Sequence, residues 1–417
     1  MSIRNFTLSA TLLLTAAACG GGGGSGVGPM GSGGARLPGF APASTTNVLV
    51  AAVSDQALST LCDAKGATVL ASCGGTDYCL VKVPDGSDVS SFLKELESES
   101  SVDDATPDSG VGGPEGGGST IPLFGDDPLS QVAAQIAVQH TGAVKARSRG
   151  ISGQGVLVAV IDTGVAFDHP LIAGHVSSDG WDFIDDDADP SDVGNGLDDN
   201  EDGSIDEGVG HGTFVASLVL AVAPDATILP IRALNSDGVG TASGVARAIA
   251  YAVAQGADVI NFSGGLSTDL RLIQQAVEYA QSHDVVVYAS AGNHAGDVDF
   301  PGMLPEVECV TALDGQDRKA SFAAFGAEVD LCAWGIDIVG AHPLSPSGTA
   351  RWSGTSFSTA LVTGSFALLR EWDGKSTGFM LAKRLRDKAV GLDAKNPSYV
   401  GLLGSGRVNV DYATRGD

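Results

Sequence analysis

At 417 residues, with 43% hydrophobic content, the chain is long enough for one large domain with a buried core and a smaller one beside it. Its formal charge of −27 opposes electrostatic binding to nucleic acid or to an anionic membrane surface. Much of that acidity is local, because residues 179–207 contain no Lys or Arg.

The chain opens MSIRNFTLSATLLLTAAACGGGGG, with Arg4 before an apolar run too short to span a bilayer. We read 1–18 as a signal peptide and 19–46 as a Gly-rich tether. The small residues before Cys19 resemble a bacterial lipoprotein signal, which implies lipidation at Cys19 and anchoring to the cell envelope. An ordinary signal peptide with a nearby cysteine is the alternative. Either way the protein is exported, a setting that permits disulfides. Cys309 and Cys332 could pair if their strands are adjacent, or remain as two buried thiols.

Residues 47–108 follow a βαββαβ order. NVLVAAV, ATVLASC, DYCLVKV and SVDDATPD read as strands, and SDQALSTLCDAKG and DGSDVSSFLKELESES as helices. That order predicts a small α+β, ferredoxin-like unit. A Gly-rich linker is expected over 109–125, beginning with SGVGGPEGGGST. From 126 to 415 the pattern changes to buried strands alternating with helices. VLVAVI, TILPIR, DVINFS and VVVYAS are continuous apolar runs, as parallel strands covered on both faces require. The fold class is therefore α/β, a doubly wound and mostly parallel sheet, whose ligands bind beyond the carboxyl ends of the strands.

Candidate chemistry collects at that edge. Asp162 ends the first strand in AVIDTGV, His211 starts the helical run HGTFVASLVLAV, and Asn293 follows the fourth strand in SAGNHAGD. Ser356 opens the run GTSFSTALVTGSFALL, where it is either an N-cap or a nucleophile beside the positive end of a helix. A hydroxyl there needs a base, a group orienting the base, and an oxyanion donor.

With DTG, HGT, SAGN and GTS in this order, together with GQGVLVAVIDTGV and GADVINFSGG, the chain resembles the subtilisin-like serine proteases, the subtilases. The resemblance implies a serine endopeptidase acting on protein or peptide substrates. Asp162, His211 and Ser356 would be its triad, and Asn293 an oxyanion donor. It also implies substrate rails at Gly238, Val239 and Gly240 and at Ser263, Gly264 and Gly265. The small N-terminal unit would be a propeptide that inhibits its own enzyme, making the chain a zymogen, and the protein is expected to be a monomer. Phe357, Ser358 and Ala360 depart from the family's usual Met, Ala and Pro after the nucleophile. Asp299, in DVDFPG, is either a solvated loop residue or an acid near the first specificity pocket. A catalytically silent peptide-binding lipoprotein of the same fold is the rival reading, and a calcium-binding adhesin a second.

The acidic insertion between Asp162 and His211 has its own pattern. Asp198, Asn200, Asp202, Ser204 and Asp206, with Gly203 between, follow the first half of an EF-hand loop, and Glu207 could close it around calcium. Position twelve is Val209 rather than Glu, so no helix–loop–helix is implied, and a solvated acidic loop is the alternative. If calcium fills the loop, a chelator lowers the Tm of the mature protein; an unchanged melting curve removes the site.

Overall fold

The computed structural model describes residues 46–113, 121–266, 270–345 and 347–415. Cys19, the signal segment and nearly all of the tether lie outside the described residues.

The N-terminal unit contains β1 (Asn47–Ala52), α1 (Asp55–Lys65), β2 (Thr68–Ser72), β3 (Tyr78–Lys82), α2 (Val89–Glu97) and β4 (Val102–Pro107). Its antiparallel sheet has the order β2-β3-β1-β4. Both helices begin at the caps the sequence offers, Ser54 accepting from the Ala57 N–H and Asp88 from the Ser91 N–H. Alternation along β1 divides the sheet's faces. Val48 and Val50 join Leu58, Leu61, Phe92 and Leu96 under the two helices, while Leu49 and Ala51 turn to the opposite side.

Residues 109–125 are not simply a linker. Gly110–Gly112 form strand β5 and Leu123–Phe124 form β6. Glycine composition suggests a tether, but these residues find backbone partners in the larger domain, and pairing decides the outcome.

That domain continues with α3 (Leu129–Ala134), α4 (Ile136–His140), α5 (Ala143–Arg147), β7 (Leu157–Asp162), β8 (Trp181–Asp182), α6 (His211–Val222), β9 (Thr227–Arg232), β10 (Val239–Thr241) and α7 (Ala242–Ala254). There follow β11 (Val259–Phe262), α8 (Arg271–Ser282), β12 (Val286–Ser290), β13 (Val307–Leu313), β14 (Val329–Trp334), β15 (Ile338–Ala341), β16 (Thr349–Trp352), α9 (Thr355–Trp372), α10 (Gly378–Asp387) and α11 (Val410–Ala413). The main sheet is parallel, in the order β14-β13-β12-β11-β7-β9-β8. Val158 and Val160 face the cluster containing α6 and α9, and Ala159 and Ile161 the one containing α7 and α8. Both faces are covered, so the strands are apolar throughout.

Helix α9 is buried from Thr355 to Leu369. Its hydroxyls are satisfied: Thr359 and Ser365 donate to carbonyls one turn back, Thr363 to Asn261, and Ser358 to the Ala333 carbonyl. Gly364 lets α9 approach α6, since a Cβ there would lie 2.8 Å from the Val222 Cβ and 2.9 Å from the Val219 carbonyl oxygen. Cys309 and Cys332 sit on adjacent strands as buried free thiols. Cys332 pairs in register with Thr311 rather than Cys309, and its thiol donates to the Leu403 carbonyl at 3.3 Å.

Gly364→Leu overpacks the α6–α9 contact and destabilises the protein by about 1–3 kcal/mol, seen as a fall in Tm.

Candidate active site

Asp162 is the last residue of β7 and fully buried; His211 is the first of α6 and nearly so. The imidazole Nδ1 lies 2.7 Å from Asp162 Oδ1, which also accepts the Thr163 N–H at 2.8 Å. A carboxylate can only accept, so Nδ1 carries the proton and Nε2 is left with its lone pair. Gly210, at φ 91°, leads into α6, and the backbone at Gly212 packs against the Gly164 carbonyl and the Asp162 side chain, where a Cβ would clash. The ring is held from other sides by Trp352, edge-on at 5.5 Å between centroids, and by Phe357 at 5.7 Å. Phe357 directly follows Ser356, so the start of α9 lies against this imidazole.

Ser356 is the second residue of α9, and its Oγ is 3.5 Å from the Ser263 carbonyl oxygen. Asn293 Oδ1 accepts both the Thr355 N–H, at 3.0 Å, and the Thr355 hydroxyl, at 2.9 Å. Two donors on one oxygen fix the amide's orientation and leave its NH2 end for other partners. Asp162, His211, Asn293 and Ser356 thus collect at the carboxyl edge of the sheet.

Two further residues position these groups. Thr355 orients Asn293, a role concealed in the sequence by the serine beside it. Asp192 lies behind His211, where it accepts the Gly210 N–H (2.9 Å), the Thr213 N–H (3.1 Å), the Thr213 hydroxyl (2.6 Å) and the Thr163 hydroxyl (3.2 Å). It therefore ties the start of α6 to the turn after Asp162, and its burial pushes its carboxyl up to about 6. Nothing in the sequence separates it from the other acids of the 179–207 stretch.

Both segments expected to be rails are paired with a strand from the chain itself. β5 runs antiparallel to β10, with Gly112 opposite Val239 and Val111 opposite Gly240, and the Gly113 N–H donates to the Gly238 carbonyl at 2.8 Å. On the other side Gly112 and Gly265 exchange two backbone hydrogen bonds, of 3.1 and 2.8 Å. Gly264 lies in this second rail, and Ser263 continues it to Ser356. Just before β5, Asp108 is buried at the start of α7, accepting the Ser243 N–H at 2.9 Å and its hydroxyl at 2.6 Å. A carboxylate there complements the positive end of the helix.

Next to His211 and Gly113 is a cavity of about 230 Å³, bordered by Leu234, Glu207 and Asp237. Burial, reinforced by the Asp237 and Asp202 carboxylates, pushes Glu207 up to about 6, and burial raises Asp237 as well. In the acidic loop Asp198, Asn200 and Asp202 accept backbone N–H groups of Asp202, Gly203 and Ser204, while Asp206 accepts those of Asn195 and Gly196. Among the described residues no group of three or more His, Cys, Asp or Glu is placed to hold a metal ion.

An Asp–His pair and a serine at a helix start meet at the edge of a doubly wound sheet, and comparison with known proteins gives the chain's family. Residues 153–406 match the Subtilase family. The chain is 40% identical over 233 residues to the thermophilic serine proteinase of Bacillus sp. (strain AK1), a match covering 53% of each chain. It is 38% identical to thermitase of Thermoactinomyces vulgaris, over 52% of this chain and 75% of that one. With Subtilisin Savinase of Lederbergia lenta the identity is 32%, over 67% of this chain and 97% of the relative. The structure of fervidolysin from Fervidobacterium pennivorans, a keratinolytic enzyme related to subtilisin, shares the fold. Its TM-score is 0.75 at 21% identity, covering 91% of this chain and 63% of that one. The chain belongs to the subtilase family of serine-type endopeptidases.

Thr355→Val removes one of the two donors that hold Asn293. It should lower kcat roughly tenfold with KM little changed, measured by steady-state kinetics. Asp192→Asn turns an NH2 toward backbone donors and should lower Tm and kcat together, at a cost of about 1–3 kcal/mol.

Proposed function

We propose that Ser356, His211 and Asp162 form the catalytic triad of an exported serine endopeptidase made as a zymogen. The observation that carries this is the Asp162–His211 pair, which leaves Nε2 as a base at the start of the helix bearing Ser356. A serine hydroxyl is a weak nucleophile without such a base. His211 takes the Ser356 proton as Oγ attacks the substrate carbonyl, then delivers it to the leaving amine. Asp162 stabilises the imidazolium without becoming protonated. The oxyanion is received by the Asn293 side-chain NH2 and the Ser356 backbone N–H. Losing one such donor costs about 2.7–4 kcal/mol of transition-state stabilisation, a value carried over from subtilisin rather than derived from this protein. Water then hydrolyses the acyl-enzyme by the same route in reverse.

Residues 47–113 act as an intramolecular inhibitor. Support comes from β5, which fills the backbone hydrogen bonds of both rails, and from Asp108 at the start of α7. Backbone pairing of this kind accepts many sequences, so the substrates are extended polypeptides. Export and attachment to the envelope through a lipid on Cys19 complete the reading. Among the described residues no helix is long and apolar enough to cross a membrane.

Calcium in the 198–207 loop is a separate proposal. Glu207 Oε2 is buried with no hydrogen-bond partner, and its neighbours are carboxylates, a setting that favours a cation. Asp198, Asn200, Asp202, Ser204, Asp206 and Glu207 would hold it, and the ion would secure a loop that lies beside His211.

A fluorophosphonate probe should label the wild-type protein at Ser356 and fail to label Ser356→Ala. Absence of wild-type labelling, after the N-terminal unit has been removed by limited proteolysis, would sink the assignment.

A further inference from the structure

We propose that the face built by α5, α10 and α11 docks on the headgroups of an anionic bilayer, with the catalytic cleft turned away from the membrane. The proposal goes beyond the lipid on Cys19 read above and rests on that reading only for the nearness of a membrane.

Charge marks the face first. In a chain of formal charge −27, residues 128–161 contain no Asp or Glu yet include Lys145, Arg147 and Arg149. Lys383, Arg384, Arg386 and Lys388 are interrupted by a single acid, Asp387. The fold brings these two stretches together around α11. Arg149 donates to Asp411 Oδ1 at 2.7 Å and to the Thr414 hydroxyl at 2.5 Å. Arg384 donates to the Ala413 and Arg415 carbonyls, at 2.6 and 2.7 Å. Asp411 is buried and also meets Arg415, so one carboxylate faces two guanidinium groups and the surplus is positive. Arg386 turns inward to Glu308 and Asp330, whereas Lys145 and Lys383 are exposed. Lys383 pairs with Asp387 at 2.6 Å, a solvated contact that a charged surface can exchange at little cost.

Apolar side chains are interleaved with these cations. The core takes Leu381, Ala382 and Leu385 from α10, which leaves Phe379 58% and Met380 60% exposed beside Lys383. Trp372, the last residue of α9, has the Arg384 guanidinium 5.0 Å from its ring centroid, and Tyr412 of α11 has that of Arg415 at 5.1 Å. Amphipathic rings next to Lys and Arg suit the headgroup layer, where the ring meets acyl chains and the cation meets phosphate. An acidic polypeptide would use the cations and leave Phe379 and Met380 in water.

The face also lies at the right end of the domain. Ser356 is the second residue of α9 and Trp372 the last, so roughly 24 Å of helix separates them. Arg147 likewise donates to the Ala221 carbonyl near the end of α6, the helix that His211 begins. Asp202, Asp206 and Glu207 border the cavity beside His211. Negative charge thus gathers at the cleft and this basic face lies opposite, which orients the domain over an anionic surface. With a Debye length of about 8 Å at physiological salt, the near face governs the contact and the net charge does not.

The test uses the chain from residue 19 with Cys19→Ser, which carries no lipid. Vesicles contain either phosphatidylglycerol with phosphatidylcholine or phosphatidylcholine alone. Co-sedimentation should show at least roughly tenfold tighter binding to the anionic vesicles, lost at high salt. Lys145→Glu with Lys383→Glu, and separately Phe379→Ser with Met380→Ser, should each weaken that binding roughly tenfold. Lys82→Glu with Lys94→Glu makes the same change of net charge in the N-terminal unit and should leave binding within about twofold. Fluorophosphonate labelling, after limited proteolysis of the N-terminal unit, confirms that each variant is folded. No preference for anionic vesicles, or an equal loss in the N-terminal control, overturns the proposal and leaves the triad and the Cys19 lipid standing. Binding to soluble polyglutamate that matches vesicle binding and survives Phe379→Ser with Met380→Ser would assign the face to acidic polypeptides and overturn it as well. Acylation of wild-type Cys19 is read separately by mass spectrometry, and its absence removes the lipid without altering the vesicle result.

Discussion

The complete burial of α9 is the constraint on which the rest depends. A helix inserted among β11, β14 and α6 can have no bulky side chain at its closest contacts and no unpaired hydroxyl. Gly364, Thr363, Ser358 and Thr359 answer those two demands. Because the body of the helix cannot shift, its first turn is fixed at the sheet's edge. Ser356 inherits that fixity, as do Phe357 against His211 and Thr355 against Asn293. A reacting centre needs side chains held to within a fraction of an ångström, and here a core supplies it.

Electrostatics around that centre are layered. Asp162 meets His211 directly, and Asp192 holds the same helix start by its backbone. Both are buried, yet they differ in their partners. Asp162 faces a ring that would become charged in the proposed reaction, whereas Asp192 accepts only N–H and O–H groups, and burial lifts its carboxyl. The Glu207–Asp237 pair lies farther out, where crowding and burial both oppose ionisation.

Much of this was legible from residues alone, for identifiable reasons. Parallel strands covered on both faces must be continuously apolar, so VLVAVI and DVINFS stood out, and helix α6 matched HGTFVASLVLAV residue for residue. The functional glycines and the residues beside them were visible because turns at a sheet edge need them. Asp192 and Thr355 escaped notice because their roles are purely spatial. An acid within a run of acids, and a threonine beside a serine, carry no local signature. The Gly-rich stretch around 110 misled for the complementary reason. Composition reports the freedom of an isolated chain, whereas β5 exists because two external edges lend it partners. Two cysteines on neighbouring strands proved to be offset in register, something no spacing in the sequence reveals.

One consequence concerns the underside of the small N-terminal sheet. Leu49, Ala51, Tyr78 and Leu80 share an apolar cluster with Ala246, Ile249, Ile273 and Val277 of α7 and α8. If the N-terminal unit is the inhibitor proposed above, cutting the connecting peptide does nothing to that contact, so the severed fragment stays seated until it is itself digested or diffuses away. On that reading the lag before full activity is governed by the residence time of the fragment. Its departure would present two apolar helix flanks to solvent, a surface open to self-association or to a new neighbour.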